Sequence, residues 1–92
     1  MDARQALGSA LKAIRSARGL TQEDFSDVSS RTYLSTLERG LKSPTMDKMQ
    51  ALAEVLEVHP LTIMACTFTI AEERSVDELL AKVKQELRTL GL

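Results

Sequence analysis

The stretch LTQEDFSDVSSRTYLSTLERGLKSP, residues 20–44, decides the fold. Thr21 stands before Gln22, Glu23 and Asp24, so its hydroxyl can accept from the backbone of Asp24 while that carboxylate reaches back. This variant of the capping box predicts a helix over about residues 22–27. Ser29 and Ser30 offer another N-cap ahead of Arg31-Thr32-Tyr33-Leu34-Ser35-Thr36-Leu37-Glu38-Arg39, and Gly40 closes that helix. Leu34 and Leu37, at i and i+3, turn inward, while Arg31, Thr32, Ser35, Thr36 and Arg39 leave a polar outer face with no acid before Glu38. Two short helices on a tight connection result, the second rich in outward hydrogen-bonding groups.

On the N-terminal side, Leu7, Leu11 and Ile14 recur at i, i+4 and i+7 with Ala6, Ala10 and Ala17 beside them, so residues 3–18 read as an amphipathic helix ended by Gly19. On the C-terminal side, Pro44 and Thr45 restart the chain as a helix with Met46, Met49, Leu52, Ala53 and Leu56 as its inward stripe. His59-Pro60 opens a fifth, short helix over about residues 60–65. Cys66-Thr67-Phe68-Thr69-Ile70 then alternates apolar and polar residues, a pattern that predicts an extended strand. Ser75 with Glu78 makes a capping box for a last helix, whose Val76, Leu79, Leu80, Val83, Leu87 and Leu90 recur at spacings of three and four. The expected architecture is all-α: a five-helix unit over residues 1–65, then a short extended segment and a C-terminal helix over residues 66–92.

A chain of 92 residues suits one domain with at most a short appendage. Its 43% hydrophobic and 27% charged residues, four Gly and two Pro are ordinary for a globular protein and exclude disordered and collagen-like classes. The longest uncharged stretch, residues 58–71, is too short and too polar to span a bilayer. The N-terminus lacks a basic segment followed by an apolar block, so no signal peptide is expected and the cytosol is the expected compartment. The single Cys66 excludes an internal disulfide, and one His with one Cys makes no metal framework; neither cofactor nor metal is expected.

The net charge of -1 conceals an asymmetry. Residues 1–44 carry seven Lys or Arg against five acids, and residues 45–92 carry five against eight. A basic first half and an acidic second half are compatible with binding DNA on one face.

The paired short helices have the outline of a helix-turn-helix unit. The segments LTQEDFS, RTYLSTLERGLKSP and LAEVLEVHPLTI resemble the helix-turn-helix domain of the XRE family, related to the Cro and phage repressor proteins, over roughly residues 7–65. The resemblance implies a partner, double-stranded DNA, and roles for matching positions. Gln22 corresponds to a phosphate-binding glutamine, and Arg15 with Glu38 to a structural pair tying the first helix to the third. Arg31, Thr32 and Thr36 fall on outward positions of the reading helix, where arginine can bond guanine twice and threonine can bond a base edge or place its methyl on thymine. Ser35 and Ser30 stand at the margins as a base and a phosphate candidate, and Arg39 and Lys42 are further phosphate candidates. The chain also departs from the pattern: Gln22 and Glu38 are 16 apart, closer than in typical members, and Asp27-Val28-Ser29-Ser30 replaces the usual Gly-Val-Ser turn.

These readings point to a homodimeric transcriptional repressor on a pseudo-palindromic operator. Phe68, Ile70 and the stripe Val76, Leu79, Leu80, Val83, Leu87 and Leu90 are the candidate dimer contact; folding back onto the same domain is the alternative. A second hypothesis is an antitoxin or adaptor that holds another protein, suggested by the acidic, leucine-bearing last helix. An enzyme is not expected, since no Cys-His arrangement, metal cluster or phosphate-binding glycine loop is present.

Overall fold

The structure, a computed structural model, describes residues 1–92 and contains helices and turns only. Five α-helices follow in order: α1 Ala3–Ala17, α2 Arg31–Glu38, α3 Met46–Leu56, α4 Pro60–Glu72 and α5 Val76–Thr89, with a single 3-10 turn, Gln22–Phe25, between α1 and α2. Each α-helix begins on a side chain that accepts from its first turn. Asp2 accepts from the Gln5 N–H at 2.8 Å, Ser30 from Tyr33 at 3.0 Å and Thr45 from Lys48 at 3.1 Å. His59 Nδ1 accepts from Leu61 at 2.9 Å and Ser75 from Glu78 at 3.1 Å. These bonds satisfy backbone donors that a helix start leaves unpaired.

The core is assembled from the inward stripe of every element before α5: Leu7, Leu11, Phe25, Leu34, Leu37, Met49, Leu52, Ala53, Leu56 and Ile63. Burying a leucine-sized side chain is worth about 1.5–3 kcal/mol, so this cluster organises α1 to α4 as one body. The predicted stripe of α3 is buried except at Met46, which is 79% exposed. That residue opens the helix and hangs over a groove instead of facing the core.

Two elements differ from the sequence expectation. The helix predicted over 22–27 is one 3-10 turn, after which Val28 and Ser29 both donate to the Phe25 carbonyl and the chain passes through turns to Ser30. The short span between Gln22 and Glu38 leaves room for one turn, not two. The strand predicted over residues 66–70 does not form: α4 continues through it to Glu72, so the boundary drawn after residue 65 falls inside a helix. The alternation there hides a helical face, because Ile63 and Thr67, four apart, are both buried. Thr67 meets its own polar requirement by donating to the Ile63 carbonyl at 2.7 Å, and Thr69 does the same to Cys66. α4 ends where Glu73 takes a left-handed conformation.

α5 then follows as expected from its capping box, yet it buries none of its residues. No single helix is long and apolar enough to cross a membrane.

Candidate nucleic-acid interface

The candidate reading surface is the outer face of α2, and the placement of this helix starts from a buried ion pair. Arg15 near the end of α1 donates through Nε to Glu38 Oε2 at 2.7 Å and through Nη2 to Oε1 at 3.0 Å, while Nη1 donates to the Leu20 carbonyl at 2.9 Å. The side chains are 15% and 5% exposed, so the bidentate pair is largely shielded from solvent. The hydrogen bond to Glu38 raises the Arg15 pKa above its ordinary value despite the opposing effect of burial. Gln22 joins the pair, its Nε2 donating to Glu38 Oε1 at 3.2 Å. One carboxylate thus fixes α1, the 3-10 turn and the end of α2 relative to one another.

Two glycines let these elements approach so closely. A Cβ at Gly8 of α1 would lie 2.6 Å from the carbonyl oxygens of both Leu37 and Glu38. Gly40 has φ +74° and a Cβ there would meet Gln5 Cα at 2.9 Å, so both conformation and contact require glycine. Further ties come from cations that the sequence reading did not single out. Lys48 of α3 donates to the Val28 carbonyl and lies 5.5 Å from the Tyr33 ring centroid, pinning the shortened turn. Arg18 donates to the Leu56 and Glu57 carbonyls at 3.0 and 2.9 Å, closing the end of α3. Neither bond has a local sequence signal, since each spans 20 or more positions.

On this frame the outer face of α2 presents the residues singled out from the sequence. Arg31 and Thr32 are exposed, while Thr36 and Ser35 are half-buried. The Thr36 hydroxyl donates to the Thr32 carbonyl at 2.7 Å, leaving its methyl and lone pairs for a ligand. Arg31 is not isolated: its Nη1 is 3.3 Å from Glu23 Oε1. Ser30 is the N-cap of α2, and Arg39 is its C-cap, with Nε donating to the Ser35 carbonyl at 3.4 Å. Lys42 is exposed in the loop beyond. Gln22 is half-buried, with its second amide hydrogen and its carbonyl oxygen lacking an internal partner. The surface is a short rigid helix with cationic groups at its start, its end and the following loop.

The apolar residues read as a dimer contact lie elsewhere. Ile70 and Leu79 are half-buried at the junction of α4 with α5, and Val76, Leu80, Val83, Leu87 and Leu90 are exposed along α5. Phe68 faces an open groove of about 670 Å³ between the starts of α1 and α3 and the side of α4. Cys66 is half-buried, and burial pushes its thiol pKa up, away from the reactive thiolate.

Comparison with known proteins places this arrangement. The family described as Helix-turn-helix matches residues 11–63. An HTH-type transcriptional regulator of Sinorhizobium fredii, y4dJ, is 39% identical over 69 residues, covering 73% of this chain and 90% of that protein. The immunity repressor protein of Bacillus phage phi105 is 30% identical over 89 residues, covering 89% of this chain; the chain spans 62% of that repressor's length. The crystal structure of the clp gene regulator ClgR from Corynebacterium glutamicum superposes with a TM-score of 0.74 at 27% identity, covering 90% of each chain.

Proposed function

The chain belongs to the helix-turn-helix family of DNA-binding transcriptional regulators, and from that premise we propose that it is a sequence-specific repressor acting as a homodimer. In this reading α2 enters the major groove, Arg31, Thr32, Thr36 and Ser35 read bases, and Gln22, Ser30, Arg39 and Lys42 hold phosphates. The observation that carries it is the outer face of α2, free of acids and locked by the Arg15–Glu38–Gln22 cluster against two other elements. A rigid reading helix satisfies the first requirement of base discrimination, which is that a donor pair arrives at a base edge in a fixed orientation.

Helices α1 to α4 form the reading unit, and the uncovered stripe of α5 forms the dimer contact. Two-fold symmetry then sets two α2 helices roughly 34 Å apart on a pseudo-palindromic operator. A DNA-binding regulator works where the chromosome lies, so the cytoplasm is its compartment. The uncovered stripe of α5 equally suits a different protein partner, which keeps an adaptor role as the second reading.

Selection of bound duplexes from random sequence, followed by affinity measurement on the recovered site, tests the proposal. Arg31→Ala should reduce binding to the recovered site by roughly 5- to 150-fold with little change on random DNA, the range of one bidentate base contact. Lys42→Ala should weaken binding to every sequence and lower the salt slope by about one. Equal and negligible effects of both would reject the assignment, and an asymmetric recovered site would reject the dimer.

A further inference from the structure

Glu23 is the acid that pairs with a cation of the reading face. Its Oε1 lies 3.3 Å from Arg31 Nη1, and both side chains are 72% exposed, so core packing does not bring them together. The backbone beneath Glu23 is held on each side. Gln22 is bonded to Glu38, the Asp24 carboxylate accepts from the Thr21 N–H at 2.7 Å, and Phe25 is buried in the core. Arg31, the first residue of α2, puts a positive charge at the positive end of the helix dipole, and no acid occupies the first turn of α2 to offset it. Glu23, one element earlier, supplies that missing charge.

We propose that Glu23 is a positioning residue for base reading: its carboxylate holds the Arg31 guanidinium over the outer face of α2 and away from the phosphates. The pair uses one of the five N–H donors of Arg31, which leaves four, enough for the O6 and N7 acceptors of a guanine. A carboxylate beside a duplex repels every phosphate backbone alike, so Glu23 weakens binding to all sequences. Aiming Arg31 benefits only those sites with the matching base. The net effect is lower general affinity and higher contrast between operator and random DNA. This inference rests on the reading of Arg31 as a base contact and adds the residue that directs it.

The test uses the full chain and three duplexes: the site recovered by selection, the same site with the base pair sensed by Arg31 replaced, and a random sequence. Glu23→Gln should bind the random duplex several-fold more tightly, with the salt slope steeper by about one because Arg31 is released to a phosphate. Its preference for the recovered site over the replaced one should fall by about two- to fivefold, the range an exposed ion pair supplies. In an Arg31→Ala background, Glu23→Gln should leave that preference unchanged. If Glu23→Gln instead tightens all three duplexes by one common factor, Glu23 is a uniform charge and the positioning role is overturned. If Arg31→Ala itself leaves the preference intact, the base-contact reading falls and the role of Glu23 falls with it.

Discussion

At the scale of single residues, the position of α2 depends on contacts that no local pattern reveals. The Arg15–Glu38 pair was legible only through resemblance, because the partners are 23 positions apart and each would pass alone as a surface charge. Gly8 was not legible at all. In sequence it is a glycine inside a helical stripe, a position that ordinarily weakens a helix by up to about 1 kcal/mol relative to alanine. In the fold it is the crossing point of α1 over the end of α2, where a methyl group would sit 2.6 Å from two backbone oxygens. Those oxygens belong to a helix end and cannot swing aside as a flexible side chain would. Gly8→Ala should therefore lose more through overpacking than it gains in propensity, a net destabilisation of about 1–3 kcal/mol. Urea unfolding reads this directly: a midpoint equal to or above that of the parent chain would mean that α1 can lift off α2 without penalty.

At the scale of elements, the helices with strong caps and a clear 3.6-residue stripe were read correctly, and α4 shows where such reading stops. Ser30, Thr45 and Ser75 each act on their own first turn, so their signals are local and visible. Residues 66–70 carry the opposite kind of information. Five residues of alternating polarity satisfy a strand pattern, and the fact that decides against it is the packing of α4 against α1, with Ile63 and Thr67 turned into the core. The same logic explains the shortened 3-10 turn, whose length follows from where Phe25 and Glu38 must both lie. If Thr67 belongs to a helix, its hydroxyl donates to a carbonyl that the backbone ladder already serves, so removing the hydroxyl orphans nothing. Thr67→Val should accordingly change stability by less than about 1 kcal/mol. Thr67→Glu, which places a carboxylate at a site 2% exposed, should cost several kcal/mol. Similar losses for both variants in thermal unfolding would contradict the helical placement.

At the scale of the whole molecule, the order of α5 is the feature the body of the protein accounts for least. A 14-residue helix is marginal in water on its own, and this one buries no residue while exposing Val76, Leu80, Val83, Leu87 and Leu90 along one side. Its corner with α4 is held by Arg74, 3.7 Å from both Glu72 and Glu78, a surface arrangement worth well under about 1 kcal/mol per pair. The buried residues, by contrast, all lie between Ala6 and Thr67. The residues that hold the fold together and the uncovered stripe of α5 therefore lie in different parts of the chain. Replacing Leu80 and Leu87 together by Glu should leave the core intact and the monomer folded, because both side chains are exposed within one copy. If α5 joins two copies, the same change should turn a dimer into a monomer by sedimentation. It should also weaken binding to a two-half-site operator by at least about a hundredfold, since the second half-site contact ceases to be intramolecular. A double variant that stays dimeric, or a parent chain that sediments as a monomer at operator-saturating concentrations, would assign the stripe to a different protein partner.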